Sequence, residues 1–309
     1  MVSAALAGPV LAGPVLAGAV PPPFTAGALL RGWEFPPLVV IPVIVIGTLY
    51  LLGYRRVRLQ PRPAFPAWRA RCFIAGLLLI LASVDGPMDT YSDVDVAVHM
   101  FQHVILLDLG APLAVLGAPA TVALRALSPA HRSRYVLPLL HNRFTHLITR
   151  PQVAGFLFAC DLLGSHFTAW YNASLENEYI HDLEHLSYLV FGFLVWEIVI
   201  GVDPIRNRAT PPQRILLVFL LMPVMVIISV VFILASHPLY PYYAALPAPW
   251  GGASRVVADQ GLAGAIMWVP SAAVTLAAVL YVAVTWFRED EARQRRIEAL
   301  QDAREKAGT

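Results

Sequence analysis

The segment RILLVFLLMPVMVIISVVFILAS, residues 214–236, contains no charged side chain after Arg214. Its remaining 22 residues are mostly Val, Ile, Leu, Phe and Met. A helix of about 20 mostly apolar residues is long enough to cross the hydrocarbon core of a bilayer. We therefore predict that this segment is a transmembrane helix.

The composition extends that prediction to the whole chain. Apolar residues make up 58% of the 309 residues and charged residues 14%, against about 45–50% and about 25% in soluble domains. This balance is typical of a membrane protein. The two cysteines, Cys72 and Cys160, lie in separate apolar runs. They indicate neither a disulfide framework nor a Cys-x-x-Cys site.

Six further segments resemble the first in length or apolar content, although the second is short and the fourth contains Asp161. The seven predicted spans lie at roughly 36–54, 68–84, 94–117, 152–170, 181–201, 214–236 and 260–287. We therefore predict an all-α fold, a polytopic membrane protein with a bundle of seven transmembrane helices.

The arginines predict how these spans are oriented. The links after spans one, three and five and the C-terminal tail are basic, whereas the other links carry one arginine or none. The basic residues are Arg55, Arg56, Arg58, Arg62, Arg69 and Arg71; Arg125, Arg132, Arg134, Arg143 and Arg150; Arg206, Arg208 and Arg214; Arg288, Arg293, Arg295, Arg296, Arg304 and Lys306. Cytoplasmic links carry the excess of positive charge. The N-terminus is therefore expected outside and the C-terminus in the cytoplasm.

The sequence divides into three predicted parts. Residues 1–35 contain the repeat LAGPVLAGPVLAG and form a low-complexity extracytoplasmic tail without the basic start of a signal peptide. Residues 36–287 are the seven-helix transmembrane domain, and residues 288–309 are a charged cytoplasmic tail of helix-forming composition. The abundance of Ala, Arg and Pro, with Lys306 as the only lysine, indicates a GC-rich bacterial genome. We expect a multi-pass protein of the bacterial cell membrane, with the lipid bilayer as its surroundings.

Six of the nine histidines fall at span ends that this topology places outside. They are His99, His103, His166, His181, His185 and His237. Four of them form two His-x-x-x-His pairs, His99/His103 and His181/His185, and residues four apart share one face of a helix. The face continues through Tyr188, Gly192 and Trp196 in span five, and span seven has a comparable stripe of Gln260, Gly264, Met267 and Ser271.

Two imidazole pairs at the same depth indicate a metal or haem site, because ionisable groups inside a bilayer are costly and are usually functional. Imidazole suits copper, zinc, iron and nickel, and the sulfur of Met100 or Met267 would favour Cu(I). Haem with axial histidines from two helices is an open alternative. Asp108, Asp161 and Glu197 lie deeper, either as proton-handling groups or paired with neighbours.

Two other functions, a retinal protein and a metallopeptidase, can be tested on particular residues. Retinal attachment requires a lysine in the last span, which has none. The sequence HDLEH, residues 181–185, also matches the His-x-x-Glu-His pattern of inverzincin peptidases, with Glu184 as the base. That pattern has few constraints, its known examples are soluble, and no convincing third ligand accompanies it here. We therefore interpret the protein as a non-enzyme, and nothing in the sequence indicates a nucleic-acid partner.

Three stretches together resemble a known family, the multi-spanning CtaG-type cytochrome c oxidase assembly factors. They are VHMFQHVILLDLGAPLAVLGAP (98–119), SHFTAWYNASLENEYIHDLEHLSYLVFGFLVWEIVIG (165–201) and VVADQGLAGAIMWVPS (256–271). The likeness covers roughly residues 30–287. It implies a helper protein that delivers copper to the oxidase catalytic subunit. This chain could itself form a homo-oligomer.

The resemblance also implies a set of site residues. Carried over by position, the candidate metal ligands are His99, His103, His166, His181, His185, Asp259 and Gln260. Asp182 and Glu184 are expected either to attract the cation and orient an imidazole, or to cap the helix N-terminus. A haem-binding membrane protein of cytochrome b type and a copper transporter or resistance protein independent of oxidase remain alternatives.

Overall fold

A computed structural model describes residues 21–25, 27–28, 32–35, 37–61, 64–204 and 208–308. These residues form helices and no strand, which confirms the all-α prediction. The α-helices are α1 Pro37–Arg58, α2 Ala67–Ser83, α3 Pro87–Ser92, α4 Val96–Val104, α5 Ala111–Leu116, α6 Pro119–Ala126, α7 Pro129–His131, α8 Leu137–His141, α9 Arg143–Ile148, α10 Pro151–Phe167, α11 Ala169–Glu176, α12 Glu178–Ile200, α13 Pro211–Leu234, α14 Pro241–Ala245 and α15 Ala253–Gly308. Most of the predicted tail 1–35, together with Arg62 and Arg206, lies outside the described residues.

Several helices have the length and composition needed to cross a membrane. Five such segments are Val39–Arg58, Val96–Ala126, Glu178–Ile200, Pro211–Leu234 and Ala253–Asp302. A sixth is obtained if α10 and α11, which meet at a 70° bend, form one broken span. Helix α2 has 17 residues, about 26 Å at 1.5 Å per residue, which is short of a hydrocarbon core of about 30 Å. A multi-pass membrane protein is supported, and the count of seven and the orientation stay predictions.

The ends of the observed helices differ from the predicted span ends for local reasons. Helix α12 begins at Glu178, three residues before His181, because the Asn177 side chain accepts hydrogen bonds from the amides of Tyr179 and Ile180. Helix α15 begins at Ala253 and continues without interruption to Gly308. The charged tail from residue 288 is therefore helical, as expected, and continuous with the last apolar segment.

The third predicted span contains a π-helical turn, Ile105–Gly110, between α4 and α5. A π-turn inserts an extra residue, so it displaces backbone groups from the α-helical hydrogen-bond pattern. The indole Nε1 of Trp196 donates a 2.7 Å hydrogen bond to the carbonyl oxygen of Leu107 within this turn. This bond joins α12 to the middle of the third span and helps set the depth at which the two helices align.

Small residues bring helices together on two faces of the bundle. A Cβ atom added to Gly76 of α2 would lie 2.7 Å from the amide nitrogen of Ala114 and 2.8 Å from the carbonyl oxygen of Gly110. On α15, a Cβ at Gly264 would lie 2.6 Å from the carbonyl oxygen of Ser229. Gly264 belongs to the predicted stripe of span seven, whose Gln260, Met267 and Ser271 are also buried. These faces are therefore close helix contacts, as small residues permit in membranes.

Candidate metal centre

The two histidine pairs meet at one end of the bundle, where α4, α12 and α15 begin and α10 and α13 end. Asp95 caps α4 by accepting a 3.1 Å hydrogen bond from the amide of Val98. The caps at Asp95 and Asn177 fix where the two helices begin, so both pairs lie within the first turns. The ring centroids are separated by 4.5 Å for His99–His103, 4.2 Å for His181–His185, 5.1 Å for His99–His181 and 5.5 Å for His103–His185.

The four imidazoles are buried, with between 0% and 8% of their surface exposed. Among the described residues, Nε2 of all four and Nδ1 of His103 have no hydrogen-bond partner. A buried polar atom without a partner costs about 1–3 kcal/mol. Several such nitrogens in one place are an arrangement that a bound metal ion would satisfy, so the donor set fits a metal.

Tyr243 determines which nitrogen of His99 is available. The Tyr243 hydroxyl donates a 2.9 Å hydrogen bond to the carbonyl oxygen of Ser92 and lies 3.2 Å from Nδ1 of His99. Because the hydroxyl proton is used on Ser92, Nδ1 of His99 is the donor in the second contact. The tautomer with Nδ1–H leaves the lone pair on Nε2, the arrangement that a metal-binding histidine needs.

His166 is held in the same tautomer by a backbone carbonyl. Its Nδ1 lies 2.8 Å from the carbonyl oxygen of Leu162, which can only accept, so Nδ1 carries the proton. Its Nε2 is buried without a partner among the described residues. The ring centroid lies 5.9 Å from that of His103. His166 therefore borders the cluster formed by the two pairs, but it belongs to neither of the two groups of candidate ligand atoms among the described residues.

Glu184 is part of the buried cluster and is not a helix cap. It is fully buried almost two turns into α12, and its Oε1 accepts a 3.1 Å hydrogen bond from the Tyr188 hydroxyl. Its Oε2 has no partner among the described residues. The capping role belongs to Asn177, so the capping interpretation of Glu184 is wrong. Asp182 is only partly buried and follows His181 in the chain.

The candidate ligand atoms fall into two sets of three. In the part of the chain that the structure describes, one set is His99, His181 and His185, and the other is His99, His103 and Glu184. Within each set the ligand atoms all lie within 4.8 Å of one another. We name these the three-histidine set and the glutamate set.

Asp259 and Gln260 belong to neither set and have hydrogen-bond partners of their own. Asp259 accepts a 2.7 Å hydrogen bond from the amide of Val96, at the start of α4. The amide oxygen of Gln260 accepts a 2.9 Å hydrogen bond from the amide of Leu239. The two side chains therefore tie α15 to the start of α4 and to the segment after α13.

The three deeper acids have different surroundings. Asp108 accepts a hydrogen bond from the Ser271 hydroxyl, and Asp161 accepts one of 2.8 Å from the Ser187 hydroxyl. Both carboxyl oxygens of Glu197 are buried without a side-chain partner among the described residues. Asp108 and Asp161 are thus paired with hydroxyl groups on neighbouring helices, as one of the two sequence interpretations expected.

An acidic surface adjoins the cluster at the segment before α4. Burial raises the pKa of Asp89 to about 7, and the negative charges of Asp93 and Asp182 add to that rise. Burial also raises the pKa of Asp93 to about 6, helped by Glu178. The amide of Gln102, between the two histidines of α4, lies 3.4 Å from Oδ1 of Asp89. Asp89, Asp93 and Asp182 thus form an acidic group close to the start of α4 and α12, which we name the acidic mouth.

Three tyrosines surround the histidines, and the sequence pattern placed only Tyr188 on a histidine face. The ring centroid of Tyr171 lies 5.2 Å from that of His99, and the Tyr188 ring lies 4.8 Å from that of His103. Tyr171, Tyr188 and Tyr243 are all fully buried. The spacing of Tyr188, four residues after Glu184 in the same helix, indicates its contact. Nothing in the local sequence indicates that Tyr243, 144 residues away from His99, contacts it.

One family model matches most of the chain. The family model described as cytochrome c oxidase caa3 assembly factor matches residues 48–289. The uncharacterized proteins Mb0105 of Mycobacterium bovis and MT0111 of Mycobacterium tuberculosis are each 27% identical over 278 residues, covering 88% of this chain and 42% of theirs. ML1998 of Mycobacterium leprae is 26% identical over 265 residues, covering 84% and 40%. The chain thus spans less than half the length of these relatives, and no solved structure matches it.

Proposed function

The chain belongs to the cytochrome c oxidase caa3 assembly factor family, and we propose that it supplies copper to the catalytic subunit of the oxidase through the buried histidine cluster. The observation that carries the proposal is the three-histidine set. His99, His181 and His185 have ligand atoms within 4.8 Å of one another, and their Nε2 atoms have no other partner among the described residues. Copper is the cargo of this process and leaves with the partner.

Copper is chosen over other ions because of the family, since imidazole ligands suit copper, zinc, iron and nickel alike. The two methionines considered as Cu(I) ligands do not favour copper over the other ions. Met100 and Met267 both pack within the main apolar core, where a thioether acts as a hydrophobic side chain. The cluster itself supplies imidazole nitrogens and one carboxylate, and those groups bind and orient the ion.

The proposed topology places the cluster at the extracytoplasmic face. The basic links at residues 55–71, 125–150 and 208–214 join the opposite ends of the helices, and the positive-inside rule assigns those links to the cytoplasm. Copper would then enter from outside past Asp89, Asp93 and Asp182. The carboxyl groups raise the local concentration of cations, as clefts lined by one sign of charge do.

A bare ion suits the cluster better than haem does. Axial ligation of haem by two histidines requires an open slot for the macrocycle between the two rings. Here the rings of His99, His103, His181 and His185 pack against one another, with neighbouring centroids 4.2–5.5 Å apart. Tyr171 and Tyr188 occupy the adjacent space.

The test is the double variant His181→Ala/His185→Ala in cells that depend on the oxidase. We expect the protein to insert normally, because the pair lies at a helix end and its loss removes no large apolar side chain. The oxidase should assemble with its haems but lack copper and activity, and added copper should restore part of that activity. The matched control is His131→Ala/His141→Ala in the basic link, which should leave oxidase copper unchanged.

Three outcomes contradict the proposal. Normal oxidase in the double variant means that the pair is structural. Loss of haem from the oxidase with copper retained favours the haem-handling alternative. Altered cellular copper tolerance with normal oxidase favours a copper transporter or resistance protein.

A further inference from the structure

We infer that the cluster contains two overlapping binding positions that a single ion occupies in turn, one in the three-histidine set and one in the glutamate set. The inference rests on the proposed function, which makes the ion a cargo that has to pass through the site.

Bond lengths separate the two positions. An imidazole nitrogen or carboxylate oxygen binds a metal ion such as zinc at about 2.0–2.2 Å, so two ligands of one ion lie at most about 4.4 Å apart. In the part of the chain that the structure describes, only two sets of three have ligand atoms all within 4.8 Å of one another, a spacing close to that limit. No set combines His181 with His103 or with Glu184. One ion therefore cannot bind all five groups at once in the observed arrangement.

His99 makes the two positions mutually exclusive. It is the one residue common to both sets. Its Nδ1 is committed to the hydroxyl of Tyr243, so Nε2 supplies the single available lone pair. A lone pair binds one ion at a time. Two ions therefore cannot both be held with full coordination, and an ion that changes position keeps His99 as the pivot.

The two positions differ in depth and in charge. In α12, His181 lies in the first turn, and His185 lies one turn further on; in α4, His99 precedes His103 by one turn. One turn is about 5.4 Å along the axis. The glutamate set therefore reaches one turn deeper along α4 through His103, whereas along α12 Glu184 lies one residue before His185, so the two sets overlap in depth there. The three-histidine set offers three neutral imidazoles, whereas the glutamate set adds the carboxylate of Glu184, which gives that position one more negative charge when ionised.

The glutamate set is also the more firmly supported. The Tyr188 hydroxyl donates to Oε1 of Glu184, contacts Ser165, and lies 3.3 Å from Nδ1 of His166. These contacts hold the glutamate and leave Oε2 free. His103 thus extends the glutamate set toward the interior of the bundle, one turn of α4 beyond His99.

The test uses the full chain in detergent with Cu²⁺ alone as the probe. Total copper per chain is measured by mass spectrometry and the ligands by pulsed electron paramagnetic resonance, which counts coordinating imidazoles. Three variants are compared with the unaltered chain: Glu184→Gln, which removes the glutamate set, His181→Gln, which removes the three-histidine set, and His99→Gln, which removes both. Circular dichroism and thermal unfolding of the copper-free proteins check that each variant is folded.

Mutually exclusive positions give a quantitative expectation. The unaltered chain should bind one Cu²⁺ with a mixed spectrum of two components. Glu184→Gln should retain the component with three imidazoles, and His181→Gln the component with two imidazoles. By mass action, the association constants of these two variants should add up to that of the unaltered chain. His99→Gln should bind at least 100-fold more weakly.

Three results would overturn the inference. The first is a single spectral component in the unaltered chain together with an at least tenfold lower Cu²⁺ affinity in both Glu184→Gln and His181→Gln, which means one composite site. Two Cu²⁺ per chain mean simultaneous occupancy, and absence of binding by the folded, unaltered chain removes both positions. In each case the oxidase copper assay with His181→Ala/His185→Ala is read separately, so the proposed function stands or falls on its own measurement.

Discussion

The hydroxyl of Tyr243 and Nδ1 of His99 lie 3.2 Å apart, although 144 residues separate them in the chain. Because Tyr243 also donates to the carbonyl of Ser92, this contact fixes the imidazole proton of His99 on Nδ1. Both binding positions of the cluster depend on Nε2 of the same ring. The short helix α14 after α13, which carries Tyr243, is therefore part of the site even though it contributes no ligand.

Removing this hydroxyl should weaken metal binding while leaving the ligands in place. We expect Tyr243→Phe to lower the affinity for Cu²⁺ by about 10–100-fold, the usual effect of losing a group that orients a ligating histidine. Titration of the purified protein measures the change. The neighbouring Tyr242→Phe is the matched control and should bind normally. Equal affinity in Tyr243→Phe and the control would mean that the contact does not orient His99.

Close packing of α2 against α5 should make Gly76 intolerant of substitution. In Gly76→Ala the new methyl group meets backbone atoms of Ala114 and Gly110 at less than 3 Å, and overpacking of this kind costs about 1–3 kcal/mol. We expect a lower thermal unfolding temperature in detergent. Gly164→Ala in α10 is the control, since no atom lies within 4 Å of its Cβ and alanine favours a helix. Equal or higher stability of Gly76→Ala would contradict the observed helix contact.

The sequence predicted those parts of the molecule that depend on local pattern. Apolar runs predicted the helices, and the four-residue spacing predicted that His99 and His103 share a face. The π-turn at Ile105–Gly110 was not predictable, because the Trp196 contact that accompanies it comes from another helix. The place of Glu184 among the candidate ligand atoms was missed for a related reason. Its position three residues after His181 suited a helix start, and only the Asn177 cap shows that the helix begins earlier.

The predicted orientation can be tested by labelling single cysteines in intact cells. Ser128 lies in the basic link after the third span and Ser254 near the start of α15, and both are exposed. In a chain with Cys72 and Cys160 replaced by Ser, we expect Ser254→Cys to react with a membrane-impermeant maleimide from outside. Ser128→Cys should react only after the membrane is permeabilised. Reaction of both positions from the same side would contradict the seven-span topology.

The acidic mouth predicts a dependence of stability on pH. In the folded chain the pKa of Asp89 is raised to about 7 and that of Asp93 to about 6, against about 3.9 in an unfolded chain. Between pH about 4 and about 7 the folded state therefore binds more protons than the unfolded state. The free energy of unfolding should fall as the pH rises through that window, because stability rises with pH only where the unfolded state binds more protons.

Asp89→Asn should remove part of this slope, since asparagine does not titrate and keeps a similar shape. Thermal unfolding in detergent at pH 5 and pH 8 measures it: the variant should gain stability over the unaltered chain at pH 8 and differ little at pH 5. The rate of Cu²⁺ binding should fall in the variant at pH 8, where its stability rises, because the variant lacks a carboxylate that attracts cations. Stopped-flow binding should therefore be slower in Asp89→Asn at pH 8 than in the unaltered chain, and closer to it at pH 5, where both lack that charge. An unaltered stability slope together with unaltered entry rates would show that Asp89 neither titrates in this window nor faces the path of the ion.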